Sequence, residues 1–128
     1  MIESPNNSLM SGRPVAGAEP ALLVFLKAKV NTFVKWDLVH FFHTNPHTAD
    51  TAEHLARYIG RDPDDVASQL SELAGGGLVE MQTVGGLPIY ALTEEPEARE
   101  LMARFVEACR DQQFRTQAIY HLVRAAKG

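Results

Sequence analysis

The stretch Thr51–Thr93, TAEHLARYIGRDPDDVASQLSELAGGGLVEMQTVGGLPIYALT, contains the signals that decide the fold. Asp50 and Glu53 have the spacing of a capping box, which predicts that a helix begins there. Gly60 supplies the left-handed residue that often follows the end of a helix. The dipeptide Asp62-Pro63 predicts a second helix, because Asp is a favourable N-cap and Pro is tolerated at the first helical position. The first half of the stretch therefore predicts two helices joined by a tight turn.

Glycines divide the second half of the stretch. The run Gly75-Gly76-Gly77 predicts the end of the second helix, and the segments Leu78–Thr83 and Leu87–Leu92 then alternate as two strands. Gly85-Gly86 lies between these segments and indicates a hairpin, because tight hairpin turns need residues with positive φ. We therefore predict helix, turn, helix and a two-stranded hairpin in succession.

Apolar residues on both sides of this stretch predict further helices. Ala21–Val30 forms a short apolar helix, and Thr32–His43 carries enough large apolar side chains for a central helix packed on more than one side. We take Thr93 as the next N-cap. Beyond it, apolar residues recur at helical spacing as far as Ala126, interrupted only around Arg110–Arg115. We predict one long C-terminal helix.

The composition is that of a single globular domain. The chain has 128 residues, of which 45% are apolar and 22% are charged. No apolar run approaches the ~18 to 20 residues of a membrane span, and no secretory signal is visible. The single cysteine, Cys109, rules out an intramolecular disulfide framework and fits a reducing compartment. We expect a cytoplasmic protein with a flexible leader at 1–20, a helix-and-hairpin domain at 21–93 and a C-terminal dimerisation helix at 94–128.

The negative charge of the chain is concentrated on the helix pair and hairpin. From Thr44 to Thr93, seven carboxylates stand against two guanidinium groups, a net charge of −5 in a chain whose net charge is −4. Surfaces that bind nucleic acid usually gain most of their affinity from Lys and Arg side chains that neutralise phosphates. The charge distribution therefore bears directly on which partner the helix pair can meet.

The order of elements resembles the winged helix-turn-helix module of bacterial regulators of the arsenical-repressor and multiple-antibiotic-resistance-regulator type. The matching residues lie between Glu53 and Thr93, a stretch of about a third of the chain, and are Glu53-His54-Leu55-Ala56, Gly60, Leu70, Leu73, Gly77-Leu78-Val79 and Ile89-Tyr90-Ala91-Leu92-Thr93. The resemblance implies a mainly α, α+β fold: a winged helix-turn-helix with a two-stranded β-hairpin wing and a long C-terminal helix. It also implies a homodimeric DNA-binding transcription regulator.

The resemblance also implies which residues meet DNA, since the second helix of the pair enters the major groove in such regulators. Carried onto this sequence, the positions on that helix are Asp64, Asp65, Ser68, Gln69 and Glu72, and the positions on the wing are Thr83, Gly85 and Gly86. Gln69 suits adenine, which Gln can contact through two hydrogen bonds. A winged-helix protein-interaction module that has lost DNA binding is the alternative function, because the second helix is acidic and the wing is uncharged.

The positive charge needed for phosphate contacts could come from outside the second helix. Lys35, Arg57 and Arg61 could contact phosphates, with Arg61 at the helix junction the best placed. The alternatives are a solvated helix face for Lys35 and local ion pairs with Glu53 and Asp65 for the two arginines.

The apolar stripes of the first and last helices predict a dimer interface, formed by Leu22, Phe25, Leu101, Phe105, Ile119 and Leu122.

Other chemistry finds little support in the sequence. His40, His43, His47 and His54 resemble a metal cluster, but their spacing matches no known ligand pattern, which favours capping or interfacial roles. Cys109 lies on an apolar stripe and is interpreted as a buried hydrophobic residue. The glycine runs lack the lysine and the strand-to-helix context of a phosphate loop. We expect no enzyme, metal or cofactor, although a cleft between the central and C-terminal helices could hold a small apolar effector.

Overall fold

The computed structural model of the chain describes residues 20–127. The predicted leader therefore lies outside the described residues, apart from Pro20. The elements are α1 (Pro20–Lys29), α2 (Phe33–Thr44), β1 (Ala49–Asp50), α3 (Ala52–Ile59), α4 (Pro63–Gly75), β2 (Val79–Val84), β3 (Leu87–Leu92), α5 (Pro96–Ala108) and α6 (Gln112–Lys127). The described chain is mainly helical with one small antiparallel sheet, which is an α+β architecture. None of these helices is both long and apolar enough to cross a membrane.

Local sequence signals determine where the helices α2 and α4 begin. Thr32 caps α2 by accepting a hydrogen bond from the Lys35 amide at 3.1 Å. Asp62 caps α4 by accepting from the amides of Asp64 and Asp65, both at 3.1 Å. The predicted cap at Asp62 is confirmed, and Thr32 supplies the cap of α2. They satisfy backbone donors that have no partner within the helix, so each helix begins where its sequence predicts.

The capping box predicted at the start of α3 is wrong. Thr51 is the N-cap, and its hydroxyl accepts from the His54 amide at 3.2 Å. Asp50 lies one residue earlier, where it ends β1 and pairs with Tyr90 of β3. Its carboxylate accepts from the Thr51 amide at 2.8 Å instead of capping the helix. Strand pairing therefore displaces the helix start by one residue.

The sheet has the strand order β1-β3-β2, with antiparallel pairing throughout. The predicted hairpin is confirmed, with Met81 opposite Tyr90, and Gly85 and Gly86 have φ values of 59° and 83°. Positive φ at both positions is what a tight hairpin turn requires. The third strand, β1, was not predicted, since its two residues are too few to show alternation.

The prediction of one long C-terminal helix is also wrong. The chain turns between α5 and α6, where the Asp111 carboxylate accepts a hydrogen bond from the Phe114 amide at 3.0 Å. The predicted cap at Thr93 is replaced by Glu95, which precedes Pro96 and makes no side-chain cap bond. The turn brings α6 back onto α1. The buried residues of α6 thereby join the core, which one continuous helix could not achieve.

A single hydrophobic core joins α1, α2, α5 and α6 with the helix pair and the sheet. Four residues assigned to a dimer interface lie in it, since at most 4% of each is exposed: Leu22, Phe25, Phe105 and Leu122. That assignment is corrected, because these side chains are buried within one chain. Leu101 is half-buried and Ile119 is exposed, so only these two of the six remain near the surface.

We expect Gly60→Ala to lower the free energy of unfolding by about 1 kcal/mol, because Gly60 adopts φ 71° after α3 and a Cβ is disfavoured there. An added Cβ meets no atom within 4 Å, so the cost is conformational. Gly75→Ala is the matched control, since Gly75 has equal space and lies within α4. Urea unfolding measures both variants. Equal effects at the two glycines would contradict the conformational explanation.

Candidate interaction surface

Helix α4 presents one face to the core and the other to solvent. Val66, Leu70 and Leu73 are fully buried, as their spacing predicts. On the opposite side the structure exposes four of the predicted DNA-reading residues: Asp64, Asp65, Ser68 and Glu72. The accessible part of α4 therefore carries two carboxylates in its first turn, where the helix dipole stabilises them.

Two of the predicted DNA-reading residues, Gln69 and Glu72, are bound by residues at the start of α2. The Gln69 carbonyl oxygen accepts from the Thr32 hydroxyl at 2.7 Å, and Gln69 is half-buried. The Glu72 carboxylate accepts from Lys35 Nζ at 2.5 Å. Gln69, the residue best suited to adenine, thus links α4 to the start of α2.

Lys35 is an internal cation. Only 4% of the residue is exposed, and its ammonium group also donates to Asn31 Oδ1 at 2.8 Å. This placement corrects both predictions for Lys35, the phosphate contact and the solvated helix face. A buried ammonium needs a charged partner, and Glu72 provides one across the α2–α4 contact.

The remaining cations near the helix pair are also engaged within the chain. Arg61 Nε contacts Asp37 Oδ2 at 2.7 Å, so its partner is Asp37 and the predicted pairing with Asp65 is corrected. Arg57 pairs with Glu53 at 3.7 Å, which confirms the predicted local pair. Lys29 Nζ donates to the Gly76 carbonyl oxygen at 2.9 Å. The structure therefore does not assemble these side chains into an open basic edge.

The hairpin presents an uncharged and partly apolar end. Thr83, Gly85 and Gly86 are exposed there, as a wing contact requires. Three large apolar side chains beside them are also exposed, at 50%, 58% and 57%: Met81, Val84 and Leu87. The hairpin contains no Lys or Arg. This apolar end was not singled out from the sequence, although alternation in β2 and β3 indicates that one face of the hairpin must be exposed.

A polar cluster where β1 meets α3 was not predicted from the sequence. The Asp50 carboxylate accepts from the His54 ring at 2.7 Å and from the Tyr58 hydroxyl at 3.0 Å. Burial opposes ionisation of Asp50, but hydrogen bonds from the Thr51 amide, His54 and Tyr58 outweigh it and lower its pKa. The same bond to Asp50 raises the pKa of Tyr58. At neutral pH the cluster therefore holds an anionic Asp50 and a neutral phenol. Its four-residue spacing is a helical signal that could have revealed it.

The histidines are dispersed. His40 Nδ1 donates to the Trp36 carbonyl oxygen at 2.9 Å and its ring stacks on Trp36, with 5.3 Å between centroids. His43 and His47 are exposed, and His54 belongs to the Asp50 cluster. Within residues 20–127, no three His, Cys, Asp or Glu side chains lie close enough together to hold a metal ion.

Cys109 is the single thiol of the chain, and a cleft lies beside α5. Cys109 is buried as predicted, and burial raises its pKa to about 12, so the thiol stays protonated at neutral pH. A cleft of about 760 Å³ lies between the end of α2 and α5. Charged side chains and alanines line it, and the small apolar effector stays a prediction: His43, Glu100, Ala103, Arg104, Glu107, Ala108 and Asp111.

Comparisons of the chain with protein-family models, with curated proteins and with solved structures found no significant match. A function must therefore be inferred from the exposed residues of α4 and the hairpin end. We call this set the α4–hairpin face: Asp64, Asp65, Ser68, Met81, Val84 and Leu87. It combines carboxylates with apolar side chains.

Proposed function

We propose that the chain is a winged-helix interaction module that binds a protein partner through the α4–hairpin face instead of reading duplex DNA. One observation carries this proposal. The face exposes carboxylates and apolar groups, while Lys29, Lys35, Arg57 and Arg61 are each bound to an acceptor of the same chain. A protein partner can complement such a face, whereas a phosphate backbone cannot.

The charges of the helix pair disfavour the binding of duplex DNA. Most of the affinity for a duplex comes from Lys and Arg side chains that neutralise phosphates, and those near the helix pair would have to leave their partners in the protein. Releasing Lys35 would break an ion pair in which the lysine side chain is 5% exposed and the Glu72 side chain 58% exposed. The exposure of Glu72 places the cost at about 1 to 3 kcal/mol, below that of separating a fully buried pair. Asp64 and Asp65 would also lie within about one Debye length, ~10 Å, of the phosphates and repel them.

The apolar hairpin end favours a protein partner. Protein interfaces commonly place a few large apolar side chains at their centre and polar groups around them. Met81, Val84 and Leu87 provide the apolar part, and the carboxylates of α4 provide a charged part that selects a basic partner. Complementary charge of this kind chiefly governs specificity and the association rate.

A homodimeric DNA-binding transcription regulator is the second candidate. It is supported by the order of helix, turn, helix and hairpin, and by the exposure of Ser68 on the outer side of α4. It requires that Arg61 exchange Asp37 for a phosphate. The two candidates differ in whether the chain binds duplex DNA.

A fluorescence anisotropy titration of a labelled random duplex separates the two candidates. We expect no saturable binding even near 50 mM salt, where phosphate contacts are strongest. Binding that weakens steeply as salt rises would favour the regulator, provided that Arg61→Ala reduces it. Arg110→Ala is the matched control, because Arg110 is an exposed cation on the α5–α6 turn, paired only at 3.4 Å with Glu107.

Site-specific photo-crosslinking provides the positive test of the interaction module. A crosslinker at Val84, which is 58% exposed, is expected to give a discrete protein adduct in the native cells. The same crosslinker at Glu97, an exposed position on α5, is the control and should not give that adduct. Identical adducts at both positions would argue against a binding surface on the hairpin.

A further inference from the structure

Helices α1 and α6 form a second surface with the opposite charge. They pack against each other, and between them they contain five Lys and Arg residues and no Asp or Glu. Large apolar side chains are also exposed on these helices, between 38% and 65%: Val24, Ile119, Tyr120 and Val123. Together with Lys27 and Arg124 they make up what we call the α1–α6 face.

The accessible charge of this face lies where the two helices meet. Lys27 and Arg124 are exposed, whereas Lys29 and Arg115 are bound to backbone carbonyl oxygens. Arg124 also donates to the Tyr120 hydroxyl at 3.1 Å, with its guanidinium carbon 5.6 Å from the ring centroid. Burial lowers the pKa of His121, and Lys27 and Arg124 lower it further, which is consistent with both cations lying near that ring.

The positive charge of the α1–α6 face determines which partner can bind it. Two copies of this face meeting across a two-fold axis would place Lys27 and Arg124 against like charges, which is unfavourable. The α4–hairpin face has the complementary properties, since residues 44–93 carry a net charge of −5 and expose their own apolar groups. One chain therefore displays both halves of a complementary pair.

We propose that the α1–α6 face of one copy binds the α4–hairpin face of a second copy, so that the chain associates head to tail. This inference rests on the proposed function, because it names a second copy as the protein partner of the α4–hairpin face. The contact is heterologous, so each added copy leaves one face of each kind open. The assembly grows with concentration unless it closes into a ring, in contrast to the symmetric dimer expected from the sequence.

Complementary variants test this contact by sedimentation equilibrium. Lys27→Gln/Arg124→Gln neutralises one face and Asp64→Asn/Asp65→Asn neutralises the other; all four residues are exposed. At low salt the native chain should show an average mass that rises with concentration and falls as salt is added. Each double variant alone should be monomeric. Their equimolar mixture should form a 1:1 dimer and nothing larger, since each variant keeps the face that the other has lost.

Arg110→Gln is the matched control, because it removes an exposed positive charge outside both faces and should associate like the native chain. Circular dichroism melts verify that each variant is folded. A native chain that stays monomeric at low salt would overturn the inference and leave the proposed function standing, with a different protein as partner. Association unchanged in both double variants would also overturn it. Duplex binding that is lost in Lys27→Gln/Arg124→Gln would instead assign the α1–α6 face to nucleic acid.

Discussion

Phe105→Ala is expected to lower the free energy of unfolding by about 3 to 5 kcal/mol, the usual cost of deleting a buried aromatic ring. Phe105 is fully buried, and its ring centroid lies 5.6 Å from Phe25, 5.5 Å from Trp36 and 6.0 Å from Phe114. One side chain therefore joins α1, α2, α5 and α6. Domains of this size have a free energy of unfolding of only about 5 to 15 kcal/mol, so Phe105→Ala removes a large part of it.

Urea unfolding followed by the fluorescence of Trp36, the single tryptophan, measures this effect close to the substituted site. Phe105→Leu is the matched control and should cost about 1 kcal/mol, because it retains most of the apolar volume. Phe114→Ala should be costly as well, since Phe114 contacts Phe105 only if the chain turns between α5 and α6. In one continuous helix the two residues would be about 13 Å apart along the axis. A negligible effect of Phe114→Ala on the free energy of unfolding would therefore favour a single long helix over the α5–α6 turn.

The sequence was a reliable guide wherever a local interaction determines the structure. Thr32 and Asp62 cap their helices through bonds to amides two or three residues away. Gly60, Gly85 and Gly86 adopt positive φ, which few other residues tolerate. Such signals depend on neighbours within one turn, and they can therefore be recognised without knowledge of the fold.

The sequence was misleading where distant packing decided the outcome. Apolar spacing continues through the α5–α6 turn, so periodicity alone favoured a single helix, whereas burial of Phe114 and Leu122 in the core favours the turn. The strand β1 exists because Asp50 pairs with Tyr90, forty positions later in the chain. That pairing also explains why the cap falls on Thr51. Neither contact leaves a local pattern in the sequence.

The candidate surface was predictable in part. The exposure of Asp64, Asp65 and Ser68 follows from the buried positions of α4, and the structure places them accordingly. Gln69 lies three residues after Val66 and four before Leu73, so the helical wheel already sets it at the edge of the apolar stripe. The sequence could not show that Thr32 of α2 covers this edge. It also could not show that Lys35 is buried, because lysines are mostly exposed.

Glu72→Ala is expected to lower the free energy of unfolding by about 1 to 3 kcal/mol, whereas Lys35→Met should change it by less than about 1 kcal/mol. Removing Glu72 leaves a buried ammonium with Asn31 as its remaining partner. Removing Lys35 leaves a carboxylate whose side chain is 58% exposed and can be hydrated, while Met fills the apolar space of the lysine stem. The same exposure of Glu72 places its effect below the full cost of breaking a buried pair.

Urea unfolding of the two single variants and of the double variant gives the coupling energy between Lys35 and Glu72. Glu53→Ala is the matched control, since it removes one partner of an exposed pair in α3 and should cost less than about 0.5 kcal/mol. A Glu72→Ala effect as small as that of Glu53→Ala would mean that Lys35 reaches water at little cost. Lys35 would then be available to contact a phosphate, which would support the DNA-binding regulator.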